Sequence, residues 1–221
     1  VQRLLMDTKI PRIRLGSLEP WRLDERFFAL WEATDRLMPH LHLPLQSGSD
    51  SVLKRMGRRS STESYRSLVR AARASIEGFH LSTDMIVGFP GETESEFEQS
   101  MDFAEEMGFG QVHIFAYSPR EGTVAARMRN QLDRTTKRQR SKRLHEAASA
   151  WKGQVAQRAV GHQVQVLWER PTDSERWQGY SENYFRVTAP APSKSWRRGL
   201  VLPVRIQAVG ERSDLLGDWQ A

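Results

Sequence analysis

The sequence predicts an α/β fold in which a parallel sheet is followed by a small β-barrel. Over residues 1–132, short apolar segments alternate with amphipathic helical segments, which is typical of a parallel sheet, open or closed. After Gly161, apolar residues recur at every second position between Gly and Pro, as expected of a small β-barrel. We therefore divide the chain into a βα domain at 1–132, a connecting helix at 133–160 and a β-barrel domain at 161–221.

Four apolar segments are the predicted parallel strands. Each runs into a turn of small and polar residues, and the clearest such turn is Gln46-Ser47-Gly48-Ser49-Asp50. A Thr93-x-x-Glu96 capping box opens the third of the helices between them. The predicted strands are 12–15, 41–45, 84–87 and 112–115, and the helices are 24–35, 62–75 and 94–107.

The turns after these strands supply the candidate ligand-binding residues, because parallel α/β folds bind ligands beyond the carboxyl ends of their strands. Amide and hydroxyl groups there can hydrogen-bond a ligand, and Arg120 can pair with a carboxylate or phosphate. Two local alternatives stand beside this hypothesis. In the first, the hydroxyls of Ser47 and Ser49 only form hydrogen bonds within their own turn. In the second, Gly88 only allows the chain to turn before the helix. The candidates are Ser17, Glu19, Gln46, Ser47, Ser49, Gly88, Phe89, Tyr117 and Arg120.

Other polar residues lie within the strands. Arg14 and Asp84 are expected to point into the barrel, where a buried Arg14 with an acidic partner would be structural at least as often as functional. His40, His42 and His113 lack the spacing of metal ligands, and we interpret them as packing or hydrogen-bonding residues. No catalytic residue and no metal ligand is predicted.

Three motifs in series resemble the radical S-adenosylmethionine methylthiotransferases. They are residues 40–59 (HLHLPLQSGSDSVLKRMGRR), 83–93 (TDMIVGFPGET) and 117–123 (YSPREGT). The resemblance covers nearly the whole chain. Members of this family have an N-terminal cluster-binding domain, a six-stranded partial (βα) barrel and a C-terminal TRAM domain. The resemblance therefore implies the last four barrel strands followed by a TRAM domain.

The resemblance also implies a chemistry. In the family, a 4Fe-4S cluster cleaves S-adenosylmethionine to a 5′-deoxyadenosyl radical, which abstracts hydrogen from C2 of a modified adenosine near the tRNA anticodon. A second cluster supplies sulfur, and a second S-adenosylmethionine supplies the methyl group. By the same resemblance, the strand-end candidates above would contact S-adenosylmethionine, with residues 86–92 on its adenine side.

The chain contains no cysteine. Iron–sulfur clusters require thiolate ligands, so this polypeptide cannot hold either cluster by its family's means. We interpret the chain as a fragment, a truncated gene model or one half of a split gene, in which case another chain supplies the missing N-terminal part. The alternative is a protein that has lost the chemistry and acts as a non-catalytic RNA-binding protein.

The substrate subgroup rests on resemblance as well. Residues 10–20 and the double histidine of 40–46 look most like enzymes that act on threonylcarbamoyladenosine, with isopentenyladenosine-modifying relatives as the runner-up. Members that modify a ribosomal protein tend to carry histidine where this chain has Ser47.

The positive charge of the chain is concentrated in one predicted helix. Residues 134–158 carry eight Lys or Arg residues and one Glu, whereas the net charge of the whole chain is +6. A solvated helix end is one interpretation, and a surface that contacts phosphates of tRNA is the other. The candidate phosphate contacts are Arg134, Lys137, Arg138, Arg140, Lys142 and Arg143.

The β-barrel domain is the second predicted RNA-binding element. Residues 179–184 (GYSENY) resemble a motif of TRAM domains, and such barrels bind RNA through basic and aromatic side chains. About half of the aromatic residues are expected in the barrel core. The candidates are Tyr180, Tyr184, Phe185, Arg186, Trp196, Arg197 and Arg198.

Bulk composition predicts a cytoplasmic globular protein. Hydrophobic content is 38% and charged content is 27%, which are globular values. No apolar stretch is long enough to span a membrane, and no signal-peptide pattern is present.

Overall fold

The computed structural model describes residues 1–172, 176–191 and 197–219. Trp196, one of the RNA-binding candidates, lies outside the described residues. The α-helices are α1 (Gln2–Asp7), α2 (Glu25–Glu32), α3 (Asp50–Arg55), α4 (Thr62–Ser75), α5 (Glu94–Met107), α6 (Val124–Arg127) and α7 (Arg134–Gln157). The strands are β1 (Ile13–Leu15), β2 (Leu37–His42), β3 (His80–Val87), β4 (Gln111–Ala116), β5 (Gln163–Pro171), β6 (Arg176–Ser181), β7 (Arg186–Pro190), β8 (Val201–Val209) and β9 (Leu215–Asp218).

The first four strands form one parallel sheet in chain order, β1-β2-β3-β4, which confirms the prediction of a parallel sheet. Successive residues of a strand point to opposite faces. On β3, Met85 and Val87 are buried in the core beneath the helices, whereas Asp84 and Ile86 face the other side. The sheet therefore has one apolar face covered by helices and one face rich in polar groups, which we call the polar face.

The second strand differs from its prediction. Residues 41–45 were expected to be strand, but β2 is Leu37–His42. Pro44 has no N–H to donate, so regular pairing stops before it. Beyond the proline, the backbone N–H of Leu45 donates to Thr83 Oγ1 at 2.9 Å, and that of Gln46 donates to the Asp84 carbonyl at 2.8 Å.

The edge strand β1 is better covered than expected. Because the family's barrel has six strands and this chain has four, the resemblance predicts an exposed apolar flank around Ile13 and Leu15. Ile13 is instead buried, and Leu15 is partly buried. The guanidinium of Arg36 donates to the carbonyl oxygens of Leu5 and Thr8, and this contact holds the preceding segment beside the start of the strand. The exposed apolar side chains near this edge instead belong to that preceding segment, at Leu4, Met6 and Ile10.

The remaining strands close into a barrel of order β5-β6-β7-β9-β8. Trp168, Val187, Ile206 and Leu215 are fully buried inside it. The aromatic and β-branched residues of 184–188 predict a strand there. The strand β7 begins only at Arg186, because Tyr184 adopts a positive φ of 72° in a tight turn. The short strand β9 is not evident from the sequence.

Helix α7 belongs to both cores. Leu144 and Trp151 pack into the core beneath the parallel sheet, whereas Ala156 lies in the core of the β-barrel. The two domains are thus joined by a helix that is packed against each of them. No helix among the described residues is long and apolar enough to cross a membrane.

Candidate functional site

The polar face of the parallel sheet borders an open cavity of about 450 Å³. The strands alone do not enclose it, because Tyr184 of the β-barrel domain lies against its wall. The polar side chains that line the cavity are Arg14, Ser17, His40, His42, Ser82, Asp84, Gln111, His113 and Tyr184.

A hydrogen-bonded network crosses this face. The Ser82 hydroxyl bonds to His40 Nε2 at 2.9 Å and to His42 Nδ1 at 3.0 Å. The other ring nitrogen of His42, Nε2, lies 3.3 Å from Asp84 Oδ2. The His113 ring is 5.6 Å from the His42 ring, between centroids. Strand pairing therefore brings together histidines that are far apart in the sequence, and their sequence spacing did not predict this proximity.

Arg14 connects the two domains across the cavity. Its guanidinium lies 4.2 Å from the centre of the Tyr184 ring and donates to the Ser181 carbonyl at 3.3 Å. Burial lowers the pKa of Arg14 to about 10, with a further lowering from the charge of Arg12, so Arg14 still carries its charge at neutral pH. Among the described residues, Arg14 thus contacts an aromatic ring and a carbonyl oxygen and forms no ion pair with a carboxylate.

Two histidines at the domain junction are held neutral. Burial, together with the nearby charge of Arg14, lowers the pKa of His40 to about 2. Burial likewise lowers the pKa of His80 to about 4. The His80 ring packs on Phe185 of the β-barrel domain, with 4.4 Å between ring centroids.

The carboxyl ends of the strands carry the predicted ligand-binding turns. Ser17, Gln46 and Gly88 all have positive φ values of 54°, 72° and 73°. Within the described residues, the side chains of Ser17 and Gln46 make no hydrogen bond, so both remain available to a ligand. Of the other strand-end candidates, Glu19 is paired with Arg58 at 3.1 Å, and Arg120 is exposed.

Gly88 contacts Glu92, just before α5, and Lys137 of α7. Its backbone N–H donates to Glu92 Oε2 at 2.7 Å, and a Cβ at this position would lie 2.5 Å from Lys137 Cγ. The Lys137 ammonium in turn lies 5.2 Å from the centre of the Tyr117 ring, which packs edge-on against Phe89. Close packing thus gives Gly88 a structural role in this chain, whatever its role toward a ligand.

Ser47 and Ser49 point away from the polar face. The Ser47 hydroxyl bonds to the Ser100 hydroxyl at 3.0 Å, and the Ser49 hydroxyl donates to Gln99 Oε1 at 2.9 Å. Both serines are buried and fasten the start of α3 to α5. The Ser47 hydroxyl also accepts the backbone N–H of Ser49 at 3.2 Å within the turn, and a ligand role for the two serines stays a prediction.

The structure separates the basic residues of α7 into two sets. Arg140 is buried and donates to Glu92 and Glu94, and Arg143 pairs with Glu94. The other set borders an open groove of about 680 Å³ beside the end of β4, which we call the basic groove. Its charged residues are Arg134, Lys137, Arg138 and Lys142, and its other lining residues include Tyr117, Ser118, Ser141 and His145.

The candidates on the β-barrel domain are also divided. The Tyr184 ring stacks on Tyr180, with 5.0 Å between centroids, in addition to its contact with Arg14. Arg186 pairs with Asp214 at 3.5 Å. Tyr184, Arg197 and Arg198 are exposed, which makes them the most accessible of the described members of this set.

Comparison with known proteins assigns the chain to a family. Residues 4–104 match the Radical SAM superfamily. The tRNA-2-methylthio-N(6)-dimethylallyladenosine synthase of Oceanobacillus iheyensis is 39% identical over 188 residues, which cover 84% of this chain and 36% of that protein. The threonylcarbamoyladenosine tRNA methylthiotransferase MtaB of Bacillus subtilis is 34% identical over 189 residues, which cover 82% of this chain and 42% of that protein. The chain belongs to the radical SAM methylthiotransferase family.

This family member spans about two fifths of the length of the curated relatives it matches. A dimethylallyladenosine synthase of Methylacidiphilum infernorum, for example, is 39% identical over 93% of this chain but only 44% of its own length. Among solved structures, coproporphyrinogen III oxidase from Escherichia coli aligns with a TM-score of 0.49 and 17% identity over 66% of this chain and 32% of its own.

The family name implies S-adenosylmethionine, which radical SAM enzymes use with a 4Fe-4S cluster. The residues of this chain do not fit the cluster, because none is a cysteine. They do fit a small polar ligand with an aromatic part. The side chains of Ser17 and Gln46 are free of protein hydrogen bonds, and Ile86 and the exposed Phe115 offer apolar surface on the polar face.

Proposed function

We propose that this chain is the C-terminal part of a tRNA methylthiotransferase that adds a methylthio group to C2 of a modified adenosine near the anticodon. The observation that carries the proposal is the extended identity to curated tRNA methylthiotransferases, which runs through the strand-end turns and into the C-terminal residues. In such an enzyme, bound S-adenosylmethionine would supply the radical and the methyl group, with clusters held by residues outside this chain.

The strand-end turns are the proposed cofactor surface. Gln46 and Ser17 would hydrogen-bond the polar parts of S-adenosylmethionine, and Ile86 would lie against its adenine. The positive φ values at Ser17 and Gln46 support this role, because strained backbone at strand ends is common in ligand sites.

The β-barrel domain is proposed to be a TRAM-like RNA-binding domain that acts with the basic groove. A groove lined by four cations, of which Lys142 also pairs with the exposed Glu146 at 3.8 Å, suits the phosphate backbone of tRNA. The exposed Arg197 and Arg198 would supply further phosphate contacts from the β-barrel domain. Arg140 and Arg143 are excluded from the proposed RNA surface, because Arg140 pairs with Glu92 and Glu94 and Arg143 pairs with Glu94.

For the substrate base, we propose threonylcarbamoyladenosine. That nucleoside carries a carboxylate, whereas dimethylallyladenosine carries an apolar group. Arg120 lies at the end of β4, is exposed and has no ion-pair partner among the described residues, so it can pair with a carboxylate. The curated relatives carry names of both kinds, which makes dimethylallyladenosine the competing substrate.

Binding experiments test this function, because the chain alone holds no cluster. The chain is titrated with anticodon stem-loops that carry threonylcarbamoyladenosine, dimethylallyladenosine or unmodified adenosine. We expect the first to bind best, and Arg120→Ala to remove that preference while the exposed Arg129→Ala keeps it. Equal binding of all three loops would overturn the substrate proposal, and absence of binding would overturn the tRNA proposal itself.

One observation favours a second candidate function. The absence of cysteine leaves the chain without cluster ligands, as expected of a non-catalytic RNA-binding protein. The two candidates differ in their response to S-adenosylmethionine. Saturable binding that Gln46→Ala weakens supports the enzyme fragment, whereas RNA binding without S-adenosylmethionine binding supports the second candidate.

A further inference from the structure

Three side chains from adjacent strands converge on the polar face. His42 lies on β2, Asp84 on β3 and His113 on β4, and Asp84 and His113 are directly paired in the strand register. One potential ligand atom of each residue lies within 4.8 Å of those of the other two. We propose that these three residues bind a divalent transition-metal ion.

The His42 ring is already oriented for this role. Its Nδ1 is hydrogen-bonded to the Ser82 hydroxyl at 3.0 Å, which leaves Nε2 directed at the Asp84 carboxylate 3.3 Å away. Metal-bound histidines commonly have their second ring nitrogen fixed by such a hydrogen bond. Ser82 is itself buried and held by His40, so the ring orientation is supported from behind.

The other two groups contact His42 within the same cluster. Among the described residues, the Asp84 carboxylate has His42 as its one ion-pair partner, and the His113 imidazole makes no side-chain hydrogen bond. The positive charge of Arg14, on the same face, is directed at Ser181 and Tyr184. The cavity of about 450 Å³ in front of the three groups leaves room for water or a further ligand.

The donor set selects the class of metal. Two imidazole nitrogens and one carboxylate oxygen suit Zn²⁺, Co²⁺, Ni²⁺ or Fe²⁺, whereas Mg²⁺ and Ca²⁺ prefer oxygen ligands alone. Three protein ligands leave open coordination positions on the cavity side. The site uses no thiolate, so it does not depend on an iron–sulfur cluster, and it shares its cavity with Ser17 of the proposed cofactor surface.

Cobalt binding to the chain tests the site. Residues 1–221 are prepared without a histidine tag, treated with chelator and titrated with Co²⁺, following the visible absorption bands of the bound ion, with calorimetry for Zn²⁺. We expect one bound ion, loss of affinity by at least about tenfold in both Asp84→Asn and His113→Asn, and about 10–100-fold in Ser82→Ala. Mg²⁺ should not compete.

Controls fix the location of the ion. His145→Asn and His162→Asn replace exposed histidines elsewhere and should bind Co²⁺ as the parent does. His113 is exposed on an edge strand, so His113→Asn is expected to stay folded by circular dichroism even if Asp84→Asn does not. The proposal is overturned if the parent binds no Co²⁺ at about 1 mM, if a folded His113→Asn binds like the parent, or if the control variants abolish binding.

Discussion

Arg140 donates to the Glu92 carboxylate at 2.7 Å, although it lies in the most basic segment of the chain. Both side chains are almost completely buried, and the same carboxylate accepts the backbone N–H of Gly88. Burial raises the pKa of Glu92, while Gly88 and Arg140 oppose that rise. This pair links α7 to the end of β3 and so belongs to the fold.

Removing Arg140 should therefore destabilise the protein. Arg140→Ala leaves a buried carboxylate without its partner, and the expected loss is about 3–5 kcal/mol in the free energy of unfolding. The exposed neighbour Arg138→Ala should change it by less than about 0.5 kcal/mol. Urea unfolding of both variants checks the prediction, and equal stabilities would show that the pair contributes nothing.

The basic groove should determine the salt dependence of tRNA binding. Reversing Arg134, Arg138 and Lys142 to Glu should weaken binding and lower the slope of log affinity against log salt by about 2–3. The measurement is a set of tRNA titrations at several salt concentrations. Reversal of the exposed Lys54, Arg59 and Arg70 is the matched control for net charge. Equal effects of the two triple variants would indicate non-specific attraction.

Substitution of Tyr184 should mainly lower the stability of the folded protein. Its ring is engaged by Tyr180 and Arg14, so Tyr184→Ala is expected to lower the free energy of unfolding by about 1–3 kcal/mol. It should leave the salt slope of tRNA binding unchanged. Thermal unfolding and the same salt series measure the two effects. A stable variant with weaker tRNA binding would instead assign the ring to the RNA surface.

Gly88→Ala should be costly for two separable reasons. The positive φ costs an L-residue about 1–2 kcal/mol, and the new Cβ would meet Lys137 Cγ. Gly57→Ala has a similar φ but open space, so it reports the backbone cost alone. Lys137→Ala should recover part of the loss at Gly88 in the double variant. Denaturant unfolding measures the free energy of unfolding of each variant. A double variant no more stable than Gly88→Ala would exclude the contact with Lys137 as a cause of the loss.

Acid should destabilise the domain junction through His40 and His80. Both have pKa values lowered in the folded state, so below about pH 6.5 the unfolded chain binds more protons and stability falls as pH falls. Each histidine contributes up to about 1.4 kcal/mol per pH unit, until about pH 4 for His80 and about pH 2 for His40. Unfolding measured between pH 7 and 5 should give a shallower slope for His80→Gln than for the parent. His145→Gln, at an exposed site, should keep the parent's slope.

The sequence by itself determined the local elements and their order. The four apolar segments with polar turns gave a parallel sheet in chain order, and helices α4 and α5 lie at their predicted positions. These features follow from short-range periodicity and from capping side chains, such as Thr93 with Glu96, that act within a few residues. Placement of the candidate turns at strand ends follows from the same alternation.

Only the tertiary structure decided which side chains meet. His42, Asp84 and His113 are far apart in the chain and come together through the register of three strands. The orientation of α7 about its axis likewise decides that Arg140 is buried against Glu92 while Arg138 borders an open groove. Neither relationship is encoded in local spacing, because strand register and helix facing are set by the packing of distant apolar residues against one another.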